Sequence, residues 1–154
     1  MKQSDIQTFR KHLRKLERET GILLDSETEC CSVTVAQCHL LLELEADDTL
    51  ALKDLADILS LDKSTLSRTI ESCVQKGFIE RSADEKNRRK NILSLTEEGR
   101  QKCDLINSLC NDQFIKIFSH IPEDKQDSVI ESVFLLSAAM AQERSKGNPS
   151  CCSR

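Results

Sequence analysis

The sequence lacks most of the patterns that mark membrane, secreted or catalytic proteins. It has no Trp or Tyr, and only three His and four Gly in 154 residues. No apolar run approaches the roughly 18 residues of a membrane span. The first 19 residues are charged throughout and have no apolar centre of a secretory signal. These absences predict a cytoplasmic protein that does not associate with membranes.

The residues that catalysis would need are also scarce. A Gly-rich phosphate loop, a paired-acid motif and a nucleotide fingerprint are all missing. A thiol enzyme would need a base beside its nucleophilic cysteine, and only His12, His39 and His120 could serve. The sequence therefore predicts a protein that is not an enzyme.

Length and charge set the scale of what is present. At 154 residues the chain can build one core but not two independent ones. The net charge is −4, but residues 81–90 hold five basic and two acidic residues, a local balance of +3. Salt screens charges beyond about 8–10 Å, so a local basic patch can still attract phosphate.

The centre of the chain has the pattern of a DNA-reading unit. Apolar spacing predicts a short helix over 52–59 and, after a tight turn, a second helix over 62–76. Asp62 is placed to cap the second helix. Two predicted strands, 78–81 and 91–95, flank the basic patch. Two helices followed by a hairpin predict a winged helix-turn-helix.

The flanking segments predict further helices. The first helix carries a narrow apolar stripe and gives way to an acidic loop over 25–31. Thr34 and Gln37 form a capping box for the next helix, and Leu50 and Ala51 could add a very short strand. The fold class is mainly α: a winged helix-turn-helix with N- and C-terminal helices forming a dimerisation domain. The predicted regions are an N-terminal dimerisation helix and Cys-bearing loop (1–31), the winged helix-turn-helix (32–99), C-terminal dimerisation helices (100–143) and a flexible tail with a Cys pair (144–154).

The polar face of the second helix and the wing carry the predicted DNA contacts. Arg68 is the candidate for a guanine edge, which a guanidinium can bond in bidentate fashion. The helix hydroxyls are expected at phosphates, and the wing arginines in the minor groove or on its phosphates. The alternative is a solvated helix face beside a solvated hairpin tip. The predicted contact residues are Lys63, Ser64, Thr65, Ser67, Arg68, Lys86, Arg88, Arg89 and Lys90.

These segments also carry a family resemblance. The run LADILSLDKSTLSRTIESCVQKGFIER, followed by SADEKNRRKNILSLTEEG, resembles the winged-helix core of the MarR family of bacterial transcriptional regulators. The upstream run VTVAQCHLLLEL is similar to the second helix of that family. Asn87 stands where the family usually has an Asp that orients the wing Arg. The matching wing positions are Arg81, Asp84, Arg88, Arg89, Leu93, Leu95, Thr96 and Gly99.

Eight cysteines are the unusual component. Cys73, Cys103 and Cys110 lie on packed helix stripes and are expected in the core. The spacing of the other five fits no common zinc template. Thiolates without such a template suit a thiophilic ion or a redox switch, although incidental thiols are the alternative. The candidate effector residues are Cys30, Cys31, Cys38, Cys151 and Cys152.

The function predicted from these features is that of a dimeric DNA-binding transcriptional regulator, a repressor released by an effector. Its predicted partners are a second copy of the chain and double-stranded DNA with a palindromic operator. No cofactor is required, and a thiolate-bound metal or metalloid ion would act as the effector. One alternative is a small organic ligand in the cleft between the domains, with the cysteines incidental. A winged helix that binds only proteins would instead have an acidic or apolar wing.

Overall fold

The helices and strands follow the order expected for a winged helix with flanking helices. The computed structural model describes residues 2–48, 50–83 and 91–146, without the side chains of residues 25–30, 83 and 91. None of the helices in these ranges is long and apolar enough to cross a membrane. The described elements are α1 (Gln3–Cys31), α2 (Val35–Ala46), α3 (Leu52–Leu59), α4 (Lys63–Gln75), β1 (Ile79–Ala83), β2 (Asn91–Leu95), α5 (Glu97–Phe118) and α6 (Glu123–Ser145).

Side-chain caps begin three of the helices, α2, α4 and α5. The Thr34 hydroxyl accepts the Gln37 amide N–H while the Gln37 side chain accepts the Thr34 N–H, which is the predicted capping box. Asp62 caps α4 in the same sense. The Thr96 hydroxyl accepts the Gly99 N–H at the start of α5. Because each cap satisfies backbone donors that a helix leaves unpaired, these residues fix where the helices begin.

Helix α2 forms the centre of the core. It packs against α1, α3, α4 and β2, and its residues Leu40, Leu41 and Leu44 are buried. Because α2 has neighbours on several sides, its apolar residues cover most of its circumference rather than a single stripe. The buried residues that surround it are Leu55, Leu66, Ile70, Cys73, Ile79, Leu93, Leu95, Cys103 and Ile106.

The wing is a two-stranded antiparallel hairpin in which Ile79 pairs with Leu95 and Ala83 with Asn91. Gly77 precedes it with a positive φ of 75°, which lets the chain turn out of α4 without steric cost. The Thr96 hydroxyl donates to the Gly77 carbonyl at 2.6 Å. The start of α5 is therefore tied to the turn that ends α4.

The chain divides into two compact units, residues 1–110 and 111–154, with the division inside α5. In the second unit, the Gln126 amide donates to the carbonyls of Phe118 and Ile121, both at 3.2 Å. These bonds satisfy carbonyls around the turn between α5 and α6. None of the residues of α6 is buried within the described chain, and Ile130, Val133, Phe134, Leu135 and Met140 are exposed.

Two predictions about local structure were wrong. Residues 25–31 are not a loop but the last two turns of α1, which contain no Gly or Pro to stop the helix. The helix ends only at Ser32, which adopts the left-handed conformation with φ 55°. Leu50 and Ala51 form no strand.

Candidate nucleic-acid interface

The N-terminus of α4 is held by a compact hydrogen-bond network around Asp62. One carboxylate oxygen, Oδ1, accepts the Ser64 N–H at 2.9 Å, the Thr65 N–H at 3.0 Å and the Ser64 hydroxyl at 2.5 Å. The other oxygen, Oδ2, accepts the Thr65 hydroxyl at 2.6 Å. The hydroxyls of Ser64 and then of Thr65, followed by the Thr65 amide, hold the pKa of Asp62 well below its usual range. The carboxylate is therefore ionised at neutral pH.

One face of α4 is polar and exposed. A guanidinium N–H of Arg68 donates to the Thr65 hydroxyl at 3.2 Å, which extends the Asp62 network by one helical turn. Lys63, Ser64, Ser67 and Arg68 are exposed and Thr65 is half-buried. The structure thus places four of the five contact residues predicted for this helix on its exposed surface, with Thr65 half-buried.

The wing is attached to the same helix by an ion pair. Arg81 on β1 lies 3.0 Å from Glu71 on α4, and both side chains are partly exposed. An exposed ion pair contributes only about 0–1 kcal/mol to stability. The pair between Arg81 and Glu71 therefore matters mainly because it positions the wing beside α4. The predicted wing contacts Lys86, Arg88, Arg89 and Lys90 lie outside the described residues.

Behind α4, a buried amide supports the helix at its other end. The Gln37 side-chain amide donates to the Ser72 hydroxyl at 2.8 Å, and its carbonyl accepts the Lys76 ammonium at 3.2 Å. Lys76 also donates to the Ser32 carbonyl at 3.0 Å. Sequence reasoning identified Gln37 only as a cap residue and missed Ser72 and Lys76. The spacing of 35 residues between Gln37 and Ser72 carries no local signal.

A cavity of about 710 Å³ opens beside the exposed polar face of α4. Its floor is apolar and includes Leu66, Ile70 and Leu93, which belong to the core. Its rim carries Lys53, Lys63 and Arg81, together with Asp57 and Ser67. A volume in this range and an apolar floor with a few polar groups are typical of small-molecule sites.

The structure brings two of the five candidate effector cysteines together and adds a third. Cys31, Cys38 and Cys110 line one apolar cavity of about 10 Å³, too small for an organic ligand. Cys31 was expected in an exposed polar loop, but it is buried at the end of α1 because that helix continues through it. Cys30 lies in the same turn, but the structure does not describe its side chain. Cys151 and Cys152 lie outside the described residues.

The core prediction for Cys73 and Cys103 is confirmed, since both are fully buried. Burial raises the pKa of the Cys73 thiol to about 11. Burial, with the nearby charges of Glu45 and Asp104, raises the pKa of Cys103 to about 12. In the part of the chain that the structure describes, no cysteines are joined in disulfides and no three His, Cys, Asp or Glu residues are grouped to hold a metal ion.

The winged helix is the part of the chain that a family model matches. The sequence model of the MarR family matches residues 33–90, which run from the end of the α1–α2 turn into the wing. The solved structure described as MarR is 26% identical to this chain, with a TM-score of 0.74 over 89% of this chain and 93% of that one. Over its winged helix the chain is similar to the MarR family of transcriptional regulators. The predicted resemblance to that family and the predicted mainly α winged-helix fold are both confirmed.

Other proteins match this chain in sequence or in fold. The regulator BilQ of Clostridium symbiosum (strain WAL-14163) is 24% identical over 120 residues, 78% of this chain and 83% of that regulator. The organic hydroperoxide resistance transcriptional regulator of Bacillus subtilis (strain 168) is 33% identical over 86 residues, 56% of each chain. The MepR–DNA complex of S. aureus has the same fold, with 21% identity and a TM-score of 0.71 over 86% of this chain and 97% of that one.

Proposed function

We propose that this chain is a MarR-family transcriptional regulator that binds duplex DNA through α4, its recognition helix, and the wing. The observation that carries the proposal is the exposed polar face of α4 and its ion pair to the wing through Arg81 and Glu71. An α-helix with such a face fits the major groove, and an attached hairpin can reach the adjacent backbone or minor groove. MepR, which has a similar fold, was solved in complex with DNA.

We further propose that the regulator acts as a homodimer on a palindromic operator. The row of exposed apolar residues on α6, among them Ile130, Phe134 and Met140, supports a surface covered by a second copy. Two reading helices related by a two-fold axis would contact half-sites about one helical turn, roughly 34–36 Å, apart.

Arg68→Ala tests DNA binding by the exposed polar face of α4. A duplex selected from random sequence by the wild-type protein serves as the operator, and affinities are measured by gel shift at fixed salt. Loss of a bidentate guanine contact worth about 1–3 kcal/mol should weaken operator binding roughly 5- to 150-fold. Arg14→Ala on α1, which removes the same charge from an exposed helix position, should leave the affinity within a factor of about two. Unchanged binding by Arg68→Ala would remove Arg68 from the interface.

We propose that the effector is a thiophilic ion or an oxidant acting at the cysteines, and that it releases a repressor. Cys31 and Cys38 line the same small cavity. Lys102 on α5 donates to the Cys31 carbonyl at 3.2 Å, and Lys76 at the end of α4 donates to the neighbouring Ser32 carbonyl. A change at Cys31 therefore acts on the segment that contacts the end of the recognition helix. The B. subtilis relative is named for organic hydroperoxide resistance.

Thiol counting separates the effectors. An organic hydroperoxide that oxidises two thiols forms one disulfide and leaves as an alcohol and water, so two thiols should disappear and return under reductant. Bound arsenite or mercury should protect thiols until a dithiol chelator is added. Operator release should follow either event in the wild type and fail in Cys31→Ser. An unchanged thiol count and unchanged operator affinity with every agent would exclude this mechanism.

A small organic effector is the second candidate, because the 710 Å³ cavity beside α4 has the size and lining for one. A ligand seated there would contact Ser67 and Arg81, close to the proposed DNA-binding face. A panel of aromatic acids in the same gel shift tests this, with Leu93→Trp as the variant that fills the cavity floor. Release by an acid in the wild type but not in this variant would favour the cavity over the thiols.

A further inference from the structure

The network around Asp62 determines which way the hydroxyls of Ser64 and Thr65 can bond. An ionised carboxylate has no proton and can only accept hydrogen bonds. The contacts of 2.5 Å from Ser64 and 2.6 Å from Thr65 are in the range of charge-assisted O–H···O⁻ bonds. Each hydroxyl has a single proton, and in both residues that proton points at Asp62. Neither hydroxyl has a proton left for the solvent side.

The contact from Arg68 to Thr65 agrees with this assignment. A guanidinium is a donor only, so the Thr65 oxygen accepts the bond from Arg68. Thr65 thus donates to Asp62, accepts from Arg68 and retains one lone pair, whereas Ser64 retains two. The hydroxyl of Ser67 differs, because it makes no hydrogen bond to the described residues and its proton can turn outward.

The direction of these hydrogen bonds determines which groups of DNA the two hydroxyls can contact, because phosphate oxygens are also acceptors. A phosphate cannot bond to the Ser64 or Thr65 hydroxyl unless the hydroxyl first leaves Asp62. The donors that the bases present in the major groove are the amino groups of adenine N6 and cytosine N4. We infer that Ser64 and Thr65 are specificity-determining acceptors for adenine or cytosine amino groups, held in that role by Asp62 as a positioning residue. The inference rests on the proposed function and replaces the predicted phosphate contacts of these two residues.

Base analogues in the selected operator test this in the full chain. Each adenine of a half-site is replaced in turn by a purine without the 6-amino group, and each cytosine by a pyrimidinone without the 4-amino group. One hydrogen bond of about 0.5–1.5 kcal/mol corresponds to a loss of roughly three- to tenfold at the contacted position. Because the analogue also weakens base pairing, the informative quantity is the difference between the wild type and Ser64→Ala or Thr65→Val. We expect the loss at the contacted base to disappear in the variant that lacks its acceptor.

Asp62→Asn reverses the polarity while keeping a good helix cap. With its oxygen at the Oδ1 position, the new amide group faces Thr65 and must donate to it, which turns the Thr65 proton outward. This variant should lose the preference for an amino group at the Thr65 position and tolerate thymine or guanine there. Ser67→Ala is the matched control and should weaken the operator and an unrelated duplex by the same factor, as a phosphate contact does.

The outcomes separate the two levels of the proposal. If Ser64→Ala and Thr65→Val weaken all duplexes equally, the two residues contact phosphate and the inference is overturned. It is also overturned if amino deletions affect the wild type and these variants alike. A wild-type protein that shows no salt-sensitive binding to any duplex overturns the proposed function itself, and the inference with it.

Discussion

Gly99 is the residue at which the winged helix leaves no room for a side chain. A Cβ added there would lie 2.1 Å from the Phe78 carbonyl oxygen and 3.3 Å from Leu95 Cδ2. That carbonyl accepts the Thr96 N–H at 3.1 Å, so it cannot move without losing a bond at the start of α5. The close contact explains why glycine is required at this position.

Gly99→Ala should therefore lower the free energy of unfolding by about 1–3 kcal/mol, the usual cost of overpacking. Urea midpoints at fixed protein concentration measure it. Gly21→Ala in α1 is the control, because nothing lies within 4 Å of its Cβ. Removing a helical glycine should stabilise this control by about 0.5–1 kcal/mol. Equal midpoints for the two variants would contradict the close contact.

The carboxylate of Asp62 makes stability depend on acid pH. Hydrogen bonds from Ser64 and Thr65 lower its pKa in the folded state, while in the unfolded chain it titrates near its usual value of about 3.9. Its contribution is therefore complete above that value and is lost as the pH falls towards the lowered folded pKa. The difference in urea midpoint between the wild type and Asp62→Asn should be constant from pH 7 to pH 5 and shrink from pH 4 to pH 2. A difference that grows in acid would show the opposite sign of shift.

At the scale of elements, Gln37 joins α2 to the recognition helix. Its side chain is 4% exposed and bonds Ser72 and Lys76 of α4's C-terminal end as well as the Thr34 N–H. A buried group that loses its partner costs more than the bond itself contributes. The orientation of α4 on α2 therefore depends on this amide.

Gln37→Leu should lower the free energy of unfolding by about 1–3 kcal/mol, and adding Ser72→Ala should cost less than it does alone. Chemical denaturation of the two single variants and the double variant measures the coupling. Gln101→Leu is the control, because its exposed bond to Glu97 should contribute less than about 0.5 kcal/mol. Strict additivity would show that Gln37 and Ser72 are not coupled.

At the scale of the whole molecule, the apolar surface of α6 predicts self-association. Phe134 is 68% exposed in the single chain. A Glu in its place would put an unpaired charge into an apolar interface, which is costly. Phe134→Glu should weaken dimerisation by about tenfold or more in sedimentation experiments and weaken operator binding with it. Ile58→Glu, at an exposed apolar position of α3, should leave the association unchanged. A wild-type chain that sediments as a monomer would contradict the dimer.

The elements of the winged helix follow from residues that are close together in the chain. The predicted α3 over 52–59 matches the structure, and the capping box of Thr34 and Gln37 and the cap at Asp62 are confirmed. These features depend on residues three or four positions apart, whose interactions the chain makes wherever the helix lies. The family resemblance can also be recognised from the sequence, because its motifs lie within one continuous stretch.

The surroundings of each site residue depend instead on how the helices and strands pack. Cys31 is buried rather than exposed, and the partners of Gln37 and Cys31 lie 35 and 71 residues away in the chain. The tertiary structure also revealed that the Ser64 and Thr65 hydroxyls donate to Asp62, which is the observation behind the acceptor role inferred for them. Burial and hydrogen-bond polarity depend on which groups packing brings within about 3 Å of one another, and local spacing does not encode them.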